Sequence, residues 1–317
     1  MPSPDQLLIF GGSASPQFTA SICRELGVAP GKCDSRHFSE GNTFVRVLEN
    51  VRGRDIFLIQ SLSYPVNDHF MEMLFYIDAF KRASAKSVTA VIPFFSYGKG
   101  DKKDEPRVSI RARVCADCLE AAGVDRIVTM DLHAPQIQGF FRVPVDHLYA
   151  LPVIAGHFKP RVTSGEWVVV APDVGAATMA NGYAKALNAK TVIAEKIRKN
   201  HREEATVQRL IGHVAGKNAL IVDDFTISGG TLIATAERLR AENAADIYAA
   251  VAHGVLTPGS VARIAASPIK ELVITDTIEY RFEPLPPSVC VVTAAGLFAK
   301  AIRNIHNQTS VSALFEA

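Results

Sequence analysis

One stretch of the sequence decides the fold: Ala219-Leu-Ile-Val-Asp-Asp-Phe-Thr-Ile-Ser-Gly-Gly-Thr231. Its four leading apolar residues predict a buried strand, with Asp223 and Asp224 at the C-terminal end of that strand. A Ser-Gly-Gly-Thr turn follows and leads into an amphipathic stretch that predicts a helix over 230–242. A strand, a tight turn and a helix in this order are typical of open α/β sheets, which bind ligands at the carboxyl ends of their strands.

The composition of this turn indicates the kind of ligand. Its glycines let several backbone N–H groups converge without obstruction, and the start of the helix adds positive dipole character, so the turn suits a phosphate. The two carboxylates can accept hydrogen bonds from sugar hydroxyls or hold a hydrated Mg²⁺. The stretch therefore predicts a phosphosugar site, the alternative being an ordinary strand-to-helix turn with a solvated acidic pair. The predicted site residues are Asp223, Asp224, Ser228, Gly229, Gly230 and Thr231.

The rest of the chain repeats the alternation of short apolar runs and amphipathic stretches. This pattern predicts parallel sheets covered by helices on both faces. Residues 77–92 and 236–251 both read as helix, short turn and strand, which indicates a duplicated α/β domain. Strands are predicted at 7–10, 56–60, 88–94, 126–130, 167–171, 191–194, 219–222, 247–252, 272–275 and 289–292. Helices are predicted at 16–26, 67–84, 110–122, 177–187, 230–242 and 294–306.

Bulk composition narrows the class of protein. The chain has 317 residues, of which 48% are hydrophobic and 21% charged, values that are ordinary for a globular protein of two domains. The formal net charge of +2 gives no reason to expect nucleic acid or an anionic membrane as a partner. No secretory signal or membrane-length apolar run is found, so we expect a cytoplasmic location. Five cysteines, an odd number, argue against a disulfide framework.

Several further segments resemble one family. Met130-Asp-Leu-His-Ala-Pro-Gln-Ile-Gln-Gly-Phe-Phe141 is long and specific, and it resembles ribose-phosphate diphosphokinase, also called PRPP synthetase. Residues 50–57, 67–73 and 310–316 resemble the same family, so the similarity spans nearly the whole chain. It implies transfer of the β,γ-diphosphoryl group of ATP to O1 of ribose 5-phosphate or a related sugar phosphate, with Mg²⁺ and release of AMP. It also implies two type I phosphoribosyltransferase-like domains and a homo-oligomer, a dimer or a hexamer.

The resemblance implies a role for each part of the chain. Residues 1–149 are expected to bind ATP, 150–292 to bind ribose 5-phosphate, and 293–317 to return to the first domain. Lys196 and Arg198 match the family's catalytic loop, where cations stabilise the charge of the transferred phosphates. His133 and Asp173 match residues associated with the metal. From the residues alone, a strand-end histidine is more often structural, and Asp173 reads equally as an Asx turn or helix cap.

Two segments occupy the places of the family's ATP-binding segments. One is residues 38–42, in which Phe38 can stack on adenine, and the other is 97–103, whose lysines can meet the triphosphate as point charges. From the residues alone, the first segment reads as a turn and the second as a charged hairpin or lid. The predicted ATP-binding residues are Phe38, Glu40, Asn42, Lys99, Gly100, Asp101, Lys102 and His133.

The sequence departs from the family pattern at positions that face substrates. Ile227 replaces an acid of the phosphosugar loop, and an isoleucine cannot accept a hydrogen bond from a ribose hydroxyl. Gly100 stands where the family has glutamine, and Lys99 and Lys102 replace arginines that clamp phosphate with two hydrogen bonds. These replacements leave alternatives open. The chain is an active but divergent diphosphokinase, an enzyme with a changed acceptor or donor, or a non-catalytic regulatory subunit of the synthetase. A nucleobase phosphoribosyltransferase is a further alternative.

Overall fold

The computed structural model describes residues 6–162, 166–198 and 205–314. This part of the chain forms two compact units. The first unit consists of 6–149 together with 277–279 and 294–314, and the second consists of the described residues of 150–276 together with 280–293. Within the described ranges, no helix has the length and apolar character needed to cross a membrane.

The first unit is built on a sheet of five parallel strands in the order β1-β4-β5-β6-β7. The central strands β4 and β5 are almost entirely buried, which agrees with their continuous apolar sequences. A separate antiparallel hairpin, β2-β3, follows the first helix. The strands are β1 (Leu7–Gly11), β2 (Cys33–His37), β3 (Thr43–Val47), β4 (Asp55–Ile59), β5 (Ser87–Ile92), β6 (Arg126–Met130) and β7 (Val145–Leu148).

Helices α1 (Pro16–Leu26), α2 (Val66–Arg82) and α3 (Arg111–Ala122) connect these strands. The C-terminal helix, α8 (Ala295–His306), also belongs to this unit and packs against α1. The rings of Phe18 and Phe298 meet edge to face with centroids 5.4 Å apart. Arg303 donates a hydrogen bond to the Glu25 carbonyl at the end of α1. Helix α8 is thereby part of the first unit.

The second unit is built on seven strands in the order β10-β9-β8-β11-β12-β13-β14, all parallel except for the antiparallel β9-β10 pair. Strands β8 and β12 are buried along their whole length. The strands are β8 (Trp167–Ala171), β9 (Lys190–Arg198), β10 (Ala205–Ile211), β11 (Asn218–Thr226), β12 (Ile247–Gly254), β13 (Ile269–Thr275) and β14 (Val289–Val292). The helices are α4 (Leu151–Phe158), α5 (Ala177–Ala186), α6 (Gly230–Ala241) and α7 (Ser260–Ala265).

The two units repeat one topology. In each, a strand, a helix and a hairpin precede four more parallel strands, and β1-β4-β5-β6-β7 corresponds in order to β8-β11-β12-β13-β14. The predicted duplicated α/β fold is confirmed. The prediction missed β2, β3, β7, β10, α4 and α7, because these elements are short or, like Cys-Asp-Ser-Arg-His in β2, carry no apolar run.

Candidate active site

The acidic pair of the second unit lies within β11. The sequence analysis had placed it at the end of this strand. The strand continues to Thr226 because its backbone stays paired with β12, with Phe225 opposite His253 and Thr226 opposite Gly254. The four apolar residues that precede the pair are fully buried in the sheet. The turn that carries the glycines therefore begins after Thr226, and the carboxylates lie just before it.

The two carboxylates differ in their surroundings. Asp224 is buried and accepts a hydrogen bond from the Phe225 amide at 2.8 Å, whereas Asp223 is half-buried and accepts one from the Asp224 amide at 3.0 Å. Burial, followed by the negative charges of Asp224 and Asp173, holds the pKa of Asp223 well above its usual value. Three carboxyl groups of this unit thus concentrate negative charge at one edge of the sheet, where a cation or hydroxyl donors would relieve it.

The turn after β11 has a backbone that requires glycine. Gly229 has φ +78° and ψ −6°, in the left-handed region, and forms the N-cap of α6. A Cβ at this position would lie 2.7 Å from Cγ1 of Ile264. The Gly230 amide approaches the hydroxyl of Ser228 at 3.4 Å. The turn is therefore compact and opens onto the first-turn N–H groups of α6, the arrangement that binds anions.

Helix α7 holds this turn in place, and the sequence prediction missed it. The carbonyl of Ile227 accepts a hydrogen bond from the Thr257 amide at 3.0 Å, and the carbonyl of Ser228 accepts one from Nη2 of Arg263 at 2.7 Å. Ile264 contacts the Gly229 position from the same helix. These contacts through its carbonyls fix the turn at the start of α6. The only local signal was the Thr-Pro-Gly-Ser turn at 257–260, which predicts a helix start but not its partner.

Asp173 follows β8, as predicted. Its Oδ1 accepts a hydrogen bond from the Ala176 amide at 3.1 Å, just before α5 begins. The contact stabilises the turn before α5, whose N-cap is Ala176, so Asp173 has the local turn role that was one structural alternative for this residue. Such a carboxylate still has its second oxygen, and the influence of Asp173 on the pKa of Asp223 indicates that the two groups lie close together. The metal role of Asp173 stays a prediction.

Lys196 and Arg198 lie on β9, which extends further than predicted. The backbone of Lys196 pairs with Val207 and that of Arg198 with Ala205, so the segment expected to leave its strand remains in an antiparallel hairpin with β10. The side chains of both residues lie outside the described part of the structure, as do residues 199–204. Their catalytic role stays a prediction.

In the first unit, His133 is exposed just after β6. Asp131 takes a positive φ of 38°, and the next amide, that of Leu132, donates to Nε2 of the buried His147 at 2.9 Å. His147 lies on the neighbouring strand β7, so it positions the segment that presents His133. A Cβ added to Gly98 would lie 3.5 Å from the Cβ of His133, which places the predicted ATP segment beside this histidine.

The predicted ATP segment forms a 3₁₀ turn over Ser96–Gly100. Lys99 and Lys102 are exposed, Asp101 is half-buried and Gly100 is buried. A Cβ at Gly100 would lie 2.7 Å from Nε and 2.8 Å from Cβ of Arg111. Glycine therefore fits at position 100, because the side chain of Arg111 at the start of α3 occupies the space that the family's glutamine would need.

The other predicted ATP segment forms the tip of the β2-β3 hairpin. The Phe38 amide donates to the Asn42 carbonyl at 2.8 Å, and Gly41 takes a φ of +87° in the turn. Glu40 and Asn42 are exposed, and 42% of the surface of Phe38 is accessible. The guanidinium of Arg36 lies 5.9 Å from the centre of the Phe38 ring. An exposed ring held in this way can stack on a flat, electron-rich base.

Comparisons with known proteins identify the family that this chain resembles over its length. Residues 7–123 match the family model described as the N-terminal domain of ribose phosphate pyrophosphokinase, and 185–316 match one described as phosphoribosyl synthetase-associated domain. A ribose-phosphate pyrophosphokinase of Brucella melitensis biotype 1 is 44% identical over 309 residues, 97% of this chain and 99% of that protein. One of Caldanaerobacter subterraneus subsp. tengcongensis is 45% identical, with 98% of each chain covered.

A solved structure shows the same architecture. The phosphoribosylpyrophosphate synthetase of Mycobacterium smegmatis superposes with a TM-score of 0.90 at 38% identity, covering 96% of this chain and 99% of that one. The similarity therefore extends through both units and is not confined to one motif. The chain belongs to the ribose-phosphate pyrophosphokinase, or PRPP synthetase, family.

Proposed function

We propose that this chain transfers the β,γ-diphosphoryl group of ATP to O1 of ribose 5-phosphate, with Mg²⁺, to give PRPP and AMP. The observation that carries the proposal is the glycine turn beside Asp223 and Asp224, held by α7, in a chain of this family. Such a turn supplies donors for a phosphate, and the adjacent carboxylates supply acceptors for hydroxyls. A pentose phosphate carries both kinds of group.

In the second unit, the sugar's 5-phosphate would accept hydrogen bonds from the N–H groups of Ser228, Gly229, Gly230 and Thr231. Asp223 and Asp224 would accept hydrogen bonds from the ring hydroxyls. Such contacts fix the position of O1, which is the reacting atom, and orientation of this kind contributes several kcal/mol to catalysis, at most about 7–11.

In the first unit, Phe38 would stack on the adenine, with Glu40 and Asn42 at the same hairpin tip as polar partners. Lys99 and Lys102 would meet the phosphates, with Asp101 and Gly100 shaping the turn that carries the two lysines. His133 would contact the nucleotide from its exposed position after β6. A lysine offers a point charge where an arginine offers two parallel hydrogen bonds, so we expect weaker selection of phosphate geometry than in relatives that carry arginines.

The donor set fits Mg²⁺. A hard divalent cation prefers oxygen ligands, and burial, followed by the charges of Asp224 and Asp173, raises the pKa of Asp223, so a cation beside these carboxyl groups would be favoured. Asp173 would contribute a carboxylate oxygen and His133 an imidazole, as the resemblance implies, while phosphates and water would complete the ligand set. When bound, Mg²⁺ would neutralise charge on the phosphates.

The transfer itself places negative charge on the migrating group. The O1 oxygen attacks the β-phosphorus, the bond from that phosphorus to the α–β bridging oxygen breaks, AMP leaves, and O1 loses its proton. Lys196 and Arg198 would stabilise the charge that builds up on the diphosphoryl oxygens. We expect the loss of one such cation to cost about 3–4 kcal/mol, or roughly 10²–10³ in rate, as for oxyanion donors.

The test is a phosphorus NMR assay with ATP, Mg²⁺ and ribose 5-phosphate over a range of inorganic phosphate concentrations. We expect AMP and PRPP in equal amounts, with Lys196→Ala slower by roughly 10²–10³ and Lys185→Ala, on α5, unchanged. AMP formation that needs no sugar phosphate would contradict the proposal. Light scattering on the same sample would test the proposed dimer or hexamer.

Ile227 favours a second candidate, a diphosphokinase with a different acceptor. The carbonyl of Ile227 is held by Thr257, so its apolar side chain belongs to the same rigid turn. A panel of pentose and hexose phosphates would decide, and Ile227→Asp sharpens the result. If ribose 5-phosphate is the acceptor, the new carboxylate should tighten its binding; if another sugar is preferred, the variant should lose affinity for that sugar. A non-catalytic subunit would turn over none of them.

A further inference from the structure

Three side chains with metal-binding atoms converge in the second unit, on elements that take no part in the site described above. They are His157 on α4, Glu271 on β13 and Cys290 on β14. One ligand atom from each lies within 4.8 Å of the other two. All three residues are half-buried, with 25% of the His157 side chain and 19% of the Glu271 side chain exposed.

The fold brings these residues together by register. Cys290 pairs with Val273 across the β13-β14 ladder, and Val273 and Glu271 are two residues apart, so all three point to one face of the sheet. Helix α4 packs against both strands and carries His157. The cluster therefore joins three elements that are far apart in sequence, and its geometry rests on strand pairing and not on loops.

The distances suit a small tetrahedral ion. His157 Nε2 and Glu271 Oε1 are 3.2 Å apart. Two such ligands at about 2.0–2.2 Å from a tetrahedral Zn²⁺ are separated by roughly 3.3–3.6 Å, so an ion that replaced this hydrogen bond would need these two atoms to move apart by only a few tenths of an ångström. The thiol of Cys290, which forms no disulfide, would supply the third ligand.

The neighbouring arginine binds the oxygen of the Glu271 carboxylate that does not face His157. Nη1 of Arg161 contacts the other oxygen, Oε2, of Glu271 at 2.6 Å, and its guanidinium lies 4.7 Å from the Phe158 ring centre. Arg161 thus orients Glu271 as an outer-sphere partner does in metal sites.

We propose that His157, Glu271 and Cys290 form a binding site for a Zn²⁺-class divalent transition ion, separate from the Mg²⁺ of the reaction. A set of thiolate, imidazole and one carboxylate selects such ions over Mg²⁺, which prefers oxygen ligands alone. Three protein ligands leave a fourth position for water. The ion would fasten α4 to β13 and β14, and so stabilise the second unit without entering the reaction.

The experiment is a Co²⁺ titration of the full chain, because Co²⁺ substitutes for Zn²⁺ and a cobalt–thiolate bond gives a charge-transfer band in the near ultraviolet. Excess Mg²⁺ is present throughout. We expect a band that saturates at one ion per chain and that Zn²⁺ bleaches. Cys290→Ser should abolish it, and His157→Gln should weaken Co²⁺ binding by at least about tenfold. Cys118→Ser, which removes a half-buried thiol in the first unit, is the matched control and should leave the band intact.

Thermal unfolding gives the second readout. Zn²⁺ at about 100 times its dissociation constant should raise the melting temperature of the wild type and of Cys118→Ser, should raise that of His157→Gln by a smaller amount, and should leave that of Cys290→Ser unchanged. The inference is overturned if no charge-transfer band forms, or if the band survives in Cys290→Ser. A Zn²⁺-induced shift of equal size in all four proteins would overturn it as well.

Discussion

The two units differ most at the second strand of their sheets. Strand β4 in the first unit and β11 in the second occupy the same place in the repeated topology, and each leads into a helix. Strand β11 carries the half-buried Asp223 and the buried Asp224 near its end, and a glycine turn follows it. After β4 the chain runs through Gln60, Ser61 and Leu62, which are completely buried.

The first unit fills this position with its own side chains. The Gln60 carboxamide accepts a hydrogen bond from the Ala14 amide at 3.0 Å and donates to the buried carboxylate of Glu72. The hydroxyl of Ser13 donates to the same carboxylate at 2.6 Å. In the second unit, Thr257, just before α7, and Arg263 of α7 hold the corresponding turn by its carbonyls. The comparison teaches that one repeated topology carries a glycine turn held from outside after β11 and a segment filled by its own buried side chains after β4.

Gln60→Ala is the change with the largest expected effect. It removes the buried side chain that fills the segment after β4, here called the closed end, and the Ala14 amide and Glu72 lose this partner. We therefore expect the free energy of unfolding to fall by about 2–5 kcal/mol. Urea unfolding measures the loss, and exposed Gln17→Ala is the control, expected within about 0.5 kcal/mol of wild type. Ribose 5-phosphate affinity of the folded variant should not change. A weaker affinity would show that the closed end takes part in binding.

Gly229→Ala tests the open end of β11. The new Cβ meets Ile264 and the backbone must keep its positive φ, so we expect a loss of about 1–3 kcal/mol in stability. We also expect ribose 5-phosphate binding, measured by calorimetry, to weaken at least about tenfold. Gly216→Ala is the matched control, because it has a φ of +70° with no atom within 4 Å of the added Cβ. Equal sugar affinities in the two variants would contradict the role of this turn.

Local sequence patterns were sufficient to predict the sheets and the turn after β11. The alternation of apolar runs and helical periodicity predicts the sheets, and the glycines and acids of residues 219–231 predict the open turn. The closed end could not be predicted in this way. Gln60 is buried because Ala14 and Glu72, 46 and 12 residues away in the sequence, satisfy its amide. The sequence alone does not show these partners.

The same limit applies to the residues that position the site. Arg263 is 35 residues from the carbonyl that it contacts, and His147 is 15 residues from the amide that it holds near His133. Both contacts depend on strand pairing and helix packing. The extension of β11 to Thr226 is likewise set by its neighbour β12, since the acidic pair carries no apolar signal of its own. Residue type thus predicts which groups meet the ligand, and tertiary structure decides how they are held.

Asp223→Asn tests how the charge of this carboxyl group affects stability and sugar binding at the end of β11. Burial and the charges of Asp224 and Asp173 raise the pKa of Asp223, so ionising it destabilises the ligand-free fold. We expect the variant to unfold at a higher temperature than wild type at neutral pH and to bind ribose 5-phosphate at least about tenfold more weakly.

The pH dependence gives the sign check for Asp223. The raised folded-state pKa means that wild type loses stability as pH rises above the ordinary aspartate range, whereas the amide variant does not. Below that range the carboxyl group is protonated in both the folded and the unfolded state, and the two proteins should converge. Thermal unfolding measured across this range tests the sign. A gap that widened on acidification would contradict it.

Arg263→Met is the smallest expected effect and the most specific test of how the open end is held. Methionine keeps an apolar stem but removes the guanidinium that binds the Ser228 carbonyl. The residue is exposed, so we expect about 1 kcal/mol, a several-fold rise in KM for ribose 5-phosphate with kcat nearly unchanged. Arg240→Met, an exposed arginine at the other end of α6, should change neither constant. If Arg263 only stabilised the fold, the melting temperature would drop and the KM of the folded protein would stay at the wild-type value. A rise in KM without that drop would show that Arg263 orients the turn after β11. In the first unit, the segment after β4 is held instead by the buried side chain of Gln60.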